Sequence, residues 1–287
     1  MIRLLTDSTC DLPQDLVKKY NIEVLPLIVT LGEDVFYDGV DIKQNDIFEY
    51  VKKTGVLPKT SARNAFDLKE FFETYTDNGD EVIFCGIGSK LSSNFANAEL
   101  AKSEMVDKDK VHLVDSCNLS TGTGMVLIEG AKAIANLKKV DEVVEIMNNA
   151  AKHLVSSFMV DKLDFLYKGG RCSRFSFSMA NLLHIKPRLE VVDGMLLNTG
   201  KELGPYKICL KKYIDSMLKK YNKPKRGLCM ITHPKCAEEY IDFFVNYIKS
   251  KNLFDEVVVA DAGCVITSHC GENTIGFFYF NDMEDWC

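Results

Sequence analysis

Over about the first 155 residues, short apolar runs rich in β-branched residues alternate with helical spacings, and this order limits the fold more than any other feature. Arg3–Thr6 is a short apolar opening that runs into Thr6-Asp7-Ser8-Thr9. Leu12–Tyr20 reads as a helix with Asp11 as N-cap and Pro13 in its first turn. Ile22–Leu31 reads as one strand, and Asn45–Lys53 and Ala65–Tyr75 as helices. Glu81–Ile87 has the character of a buried strand. It is followed at once by Gly88-Ser89-Lys90-Leu91-Ser92-Ser93 and a helix to about Met105. Val111–Val114 leads into Asp115-Ser116, a helix from about Ser120 to Leu137 and another across Val140–Leu154. Such alternation predicts an α/β domain whose mainly parallel sheet is flanked by helices. Its crossovers are expected to be right-handed. Ligands in such sheets bind at the carboxyl edge.

From about Ser156 the texture changes. Arg188–Val192 and Met195–Asn198 flank Asp193-Gly194, a pair suited to a tight primed hairpin turn. A short helix is expected before His184. A long helix follows over Tyr206–Tyr221, then the strand Gly227–Thr232, the helix Cys236–Lys249, the strand Glu256–Ala260 and a last strand near Thr274–Phe280. This half reads as a second α/β domain with a partly antiparallel sheet. The expected division is 1–155 and 156–287.

Composition narrows the function classes. Of the 287 residues, 46% are hydrophobic and 26% charged, as in globular rather than disordered chains. A net charge of −6 disfavours a nucleic-acid partner, because phosphate backbones reward a clustered positive surface. The opening MIRLLTDST lacks the long apolar region of a signal peptide, and no run approaches the roughly 18 apolar residues of a membrane span. Ten scattered cysteines without a Cys-x-x-Cys pair read as free thiols in a reducing cytoplasm. Cys264, His269 and Cys270 match no common metal-ligand spacing, so no metal is expected. A monomer is the default expectation.

Four segments gather small hydroxyl residues at inferred strand ends: Thr6-Asp7-Ser8-Thr9, Lys59-Thr60-Ser61, Ser89–Ser93 and Asp115-Ser116. Helix starts leave backbone N–H groups unpaired and can hold an anion. N-capping explains any single serine. Four such segments point instead to a shared crevice, without identifying the anion. The glycines of Ser120-Thr121-Gly122-Thr123-Gly124 read as a close helix–sheet contact. The chain has neither a P-loop nor a dinucleotide fingerprint, so no ATP or NAD site is expected. His269 lies in Thr267-Ser268-His269-Cys270-Gly271. A hydrolase pairing it with a serine has no nucleophile elbow behind it. Tyr167-Lys168-Gly169-Gly170-Arg171, with Arg174 and Lys186 nearby, suggests a tight turn presenting charge to a partner.

Taken in order, these segments resemble the DegV family over nearly the whole chain: TDSTCDLP, KTS, SKLSSNFANA, VDS with STGTG, LYKGGRCS, KPRLEVVDG and SHCGENTIG. The resemblance implies a two-domain fold with a long-chain fatty acid buried between the domains, and no catalytic residues or cofactor of its own. It implies a carboxylate near Thr60, Ser61, Ser92, Ser93 and His269. Arg171 looks like the family's exposed arginine, a contact for the separate catalytic subunit of a fatty acid kinase, which phosphorylates the bound acid with ATP. Membrane contact would be transient, for lipid exchange. The sequence departs from the family pattern at Arg63 (the proline of KTSxP) and at Ser93 and Asn94 (LSGT). It departs again at Leu203 (the arginine of K-x-R-G) and at Glu272 and Asn273 (the end of H-x-G-P-G). Two other readings remain: a serine/histidine hydrolase or transferase, and a lipid-binding regulator without a kinase partner.

Burying roughly 14 methylenes at ~0.8 kcal/mol each gives a gross ~11 kcal/mol, from which chain ordering subtracts. The tail would therefore supply affinity and the head group orientation.

Overall fold

The computed structural model describes residues 1–161, 164–170 and 185–281. Arg171, Arg174 and the short helix expected before His184 lie outside the described residues.

The first part of the chain runs β1 (Ile2–Asp7), α1 (Gln14–Lys19), β2 (Ile22–Leu25), β3 (Ile28–Leu31), β4 (Asp34–Tyr37), α2 (Gln44–Thr54) and β5 (Lys59–Ser61). It continues with α3 (Ala65–Thr76), β6 (Glu81–Phe84), α4 (Asn94–Ser103), β7 (Val111–Leu113), α5 (Thr121–Ala135) and α6 (Val140–His153). Strands β2-β1-β6-β7 form a sheet in that order with every pairing parallel, as the alternation predicts.

The structure differs from the sequence reading at two places here. Ile22–Leu31 is not one strand. It breaks at Pro26, which lacks the N–H needed to continue a ladder. β2 stays in the parallel sheet, while β3 joins β4 and β5 in a separate antiparallel sheet. Asp11 is not the cap of α1: it adopts φ 49°, and Pro13 occupies the N-cap. Asp7 caps a short 3-10 turn over Ser8–Cys10 instead.

The second part runs β8 (Leu154–Met159), α7 (Asp164–Lys168), β9 (Ile185–Val192), β10 (Met195–Leu203), α8 (Tyr206–Lys220) and β11 (Pro224–His233). It ends with α9 (Glu238–Ser250), β12 (Glu256–Asp261), α10 (Cys264–Cys270) and β13 (Ile275–Asn281). Six strands form one sheet in the order β10-β9-β8-β13-β11-β12. Only β11–β12 is parallel, giving the expected mixed sheet. Asp193 and Gly194 make the β9–β10 turn with φ 50° and 74°, the left-handed pair that a primed turn requires.

Side chains alternate across a strand, so the central strands β8 and β13 serve two cores. Val155, Met159, Phe277 and Tyr279 pack with α8 and α9. Phe158, Phe278 and Phe280 face the other way, into a core shared with Met125, Val126 and Ile128 of α5. The α5 helix is thus wedged between the two large sheets. Its glycines make that possible: a Cβ on Gly122 would stand 2.2 Å from Asn118 Oδ1, and one on Gly124 2.8 Å from the carbonyl oxygen of Cys10. Among the described residues, no helix is long and apolar enough to cross a membrane.

Candidate functional site

Three hydroxyl-rich segments follow the carboxyl ends of β1, β6 and β7, as expected for a parallel sheet. The fourth does not. Lys59-Thr60-Ser61 is β5 itself, with Thr60 opposite Val29 and Ser61 opposite Ile28 on β3. The small antiparallel sheet carries these hydroxyls to the crevice from another direction.

There they border a cavity of about 750 Å³, a volume that includes its solvent-open part. Thr60, Ser61, Ser92 and His269 all line it, together with Leu91, Leu119, Phe158, Leu189, Leu196 and Ile266. The six-stranded sheet supplies Phe158, Leu189 and Leu196, and the loops that follow β6 and β7 supply Leu91, Ser92 and Leu119. Ser93 does not line the cavity. It is the exposed N-cap residue of α4.

The polar groups are tied together locally. Thr60 Oγ1 and His269 Nε2 share a hydrogen bond of 2.8 Å, the donor depending on the imidazole tautomer. Ser92 Oγ accepts from the Asn94 backbone N–H at 3.2 Å. His269 sits in the last turn of α10, a helix absent from the sequence reading. Gly169 lies tight against its ring: a Cβ there would approach His269 Nδ1 to 2.6 Å. The Gly169-Gly170 pair thus has two roles. Gly170 turns the chain at φ 71°, and Gly169 makes room for the imidazole. Beside His269, Cys270 also lines the cavity, and burial pushes its thiol up to about 12, so it stays neutral. Cys264, His269 and Cys270 form no ligand set: among the described residues, no group of three or more His, Cys, Asp or Glu could hold a metal ion.

Of the acids around this region, Asp7 belongs to one of the hydroxyl-rich segments and Asp11 is the expected helix cap, whereas Asp38 has no role in the sequence reading. Burial raises the carboxyls of Asp7, Asp11 and Asp38, with hydrogen bonds opposing it in each case. Asp7 accepts from Thr9, from the Ile87 N–H at 2.9 Å and from Asn94 Nδ2 at 2.9 Å. It thereby fixes the loop after β6 to the end of β1. Asp11 accepts from Ser120 Oγ at 2.6 Å and the Gly263 N–H at 2.8 Å. Asp38 accepts from the Cys264 N–H at 2.6 Å, the Val265 N–H at 3.3 Å and Ser8 Oγ at 2.9 Å. Thr9 apart, the partners of these acids lie far away in the sequence. At the far side of the crevice, Lys90 Nζ donates to the Asp193 carbonyl at 2.8 Å, holding the β9–β10 turn against the loop that carries Leu91 and Ser92.

Comparison with known proteins places this geometry in context. The model of the DegV family, described as an uncharacterised protein family, matches residues 1–282. A DegV domain-containing protein of Caldanaerobacter subterraneus is 30% identical, over 97% of this chain and 98% of that one. A fatty acid-binding protein of Thermotoga maritima is 28% identical over 96% of each chain. Among solved structures, a DegV family protein from Thermus thermophilus described for its fatty acid binding superposes with a TM-score of 0.87 at 27% identity. That match covers 98% of this chain and 99% of the other.

Proposed function

This chain belongs to the DegV family, and from that premise we propose that it binds a long-chain fatty acid in the cavity between an N-terminal domain (1–155) and a C-terminal domain (156–287). The tail lies along Leu119, Phe158, Leu189, Leu196 and Ile266. The carboxylate is met by Thr60, Ser61, Ser92 and His269. One observation carries this reading: four neutral or titratable donors from three separate elements converge on a single cavity whose other walls are apolar. The fatty acid-binding descriptions of the Thermotoga and Thermus relatives support it.

The chemistry of the head group follows from the donors. A buried carboxylate without hydrogen bonds is costly. Hydroxyl groups, with Thr60 held by the His269 imidazole at 2.8 Å, satisfy it without a tight ion pair. The carboxylate oxygens then remain nucleophilic. Ser61 is exposed and Ser92 half-buried, which supports a head-group end at the surface. Ser93, one residue further on, contributes through its place at the start of α4. In this reading the protein is a cytoplasmic monomer that touches membranes only to exchange lipid. It has no catalytic residues, and a fatty acid kinase subunit phosphorylates the presented carboxylate to an acyl phosphate. Arg171 is assigned to that contact.

Native mass spectrometry of protein from a bacterial host tests the ligand: a co-purified mass matching a long-chain acid is expected. An empty protein that turns over simple esters would instead support a hydrolase. Adding a fatty acid kinase catalytic subunit and ATP should give acyl phosphate. Bound lipid without that product would leave a carrier or regulator with no kinase partner.

A further inference from the structure

His269 depends on a helix that does not cap itself. The α10 helix spans only Cys264–Cys270, and its N-cap residue Gly263 has no side chain to offer the first backbone N–H groups. Unpaired N–H groups at a buried helix start must find acceptors elsewhere. They find them in residues from the first forty of the chain. The Gly263 N–H goes to Asp11, and those of Cys264 and Val265 go to Asp38. The fit is close, because a Cβ on Gly263 would come within 2.9 Å of Asp38 Oδ2.

The two acids are not equivalent. Asp11 faces one N–H with Oδ1 and the Ser120 hydroxyl with Oδ2. Asparagine at position 11 would keep both contacts, since its amide N–H₂ can donate to the same hydroxyl. Asp38 faces a backbone N–H with each oxygen, so an amide nitrogen in either place would oppose a donor. Asp38 also accepts from Ser8, whose hydroxyl oxygen receives the Leu27 N–H at 3.1 Å. Leu27 lines the cavity. One carboxylate thus connects the cavity wall at Leu27 with the start of the helix whose far end carries His269.

We infer that Asp38 is a positioning residue for the head-group site, setting where α10 lies and hence whether His269 Nε2 meets Thr60 Oγ1. Docking α10 and assembling the polar end of the cavity become a single event. This inference rests on the fatty-acid reading only for its lipid readout.

The test uses the full chain loaded with stearate, release being followed by transfer to phosphatidylcholine vesicles and His269 by imidazole NMR, assigned through His269→Ala. Asp38→Asn should speed stearate release about tenfold, the loss of roughly one hydrogen bond to a charged group, and shift the His269 titration. In the His269→Ala background the same substitution should add less than about twofold, because a residue acting through His269 has nothing left to act on. Asp215→Asn, on the α8–α9 surface, lowers stability without changing either readout. Equal acceleration by Asp38→Asn in both backgrounds, or an unmoved His269 titration, overturns the inference. Where Asp38→Asn does not fold, Ser8→Ala, which removes one of the three donors, decides by the same titration. A protein that takes up no stearate counts against the fatty-acid reading, and the NMR arm alone then decides on Asp38.

Discussion

The backbone N–H of Arg63 donates to Oδ1 of Asn94 at 3.1 Å, so two positions at which this chain departs from the family pattern touch each other. The pattern has proline where Arg63 stands and threonine where Asn94 stands. Proline has no N–H to satisfy, and arginine brings one. Asn94 accepts it while its own amide donates to the buried Asp7, and Asn97 Nδ2 donates to the Arg63 carbonyl at 2.6 Å. The two departures form one local solution.

Asn94→Thr alone should therefore cost about 1–3 kcal/mol, by leaving the Arg63 N–H without its acceptor. Arg63→Pro should cost less in that background than in the parent chain. Urea unfolding of the two single variants and the double variant measures the coupling, expected at about 1 kcal/mol or more. Simple additivity would show that the contact is incidental.

Replacing Ser61 and Ser92 together with alanine should lower the fatty acid retained on purification. Each hydroxyl lost to a carboxylate is worth about 1.5–3 kcal/mol, so the double variant should be largely empty. Quantitative mass spectrometry of the extracted lipid reads this directly. Unchanged occupancy would refute these assignments.

Gly169→Ala tests the contact with the imidazole. The added methyl group would meet His269 Nδ1 at 2.6 Å and the Phe165 carbonyl at 2.7 Å, so one of them must move. Lipid retention should fall by about tenfold, as for one hydrogen bond lost at the head group. Gly170→Ala, at φ 71° with open space around it, should strain the turn and lower the melting temperature.

Asp11 and Asp215 should show opposite pH dependences. Burial raises the Asp11 carboxyl well above its usual 3.8, so the folded chain holds this proton more tightly than the unfolded one. Its contribution is therefore most favourable at low pH, and stability is lost as pH rises from about 4 through the folded value. The melting temperature of Asp11→Asn, relative to the parent, should climb over that range. For Asp215, burial is outweighed by hydrogen bonds from Lys251, Lys211 and Tyr247, which hold the carboxyl down to about 2. Its stabilisation is present above about pH 4 and is lost as pH falls toward 2. Thermal denaturation of Asp215→Asn should show a deficit at pH 7 that shrinks on acidification.

The parallel sheet and the β9–β10 hairpin were legible because their signals are local: periodicity, β-branched runs and an Asp-Gly turn. Pro26 was visible too, but the apolar runs on either side outweighed it. The α10 helix was not legible. Its sequence, Cys-Val-Ile-Thr-Ser-His-Cys, is rich in β-branched residues that disfavour helix. What makes it helical is a pair of acceptors 252 and 226 positions away in the chain. The candidate site was legible in part for the same reason. Thr60, Ser61, Ser92 and His269 came from motif resemblance, whereas Asp38 and Gly169 act through contacts that no local window contains.

Strand β13 lies between β8 and β11, at the middle of the six-stranded sheet. The centre of that sheet is thus supplied by a strand that comes after all of its sheet neighbours in the chain. Until Ile275–Asn281 pair, β8 and β11 each present an open edge, and Phe158 lacks the Phe278 ring that backs it at 5.3 Å. Phe158 lines the cavity, so until β13 is in place that cavity has no finished wall against which the proposed ligand could settle.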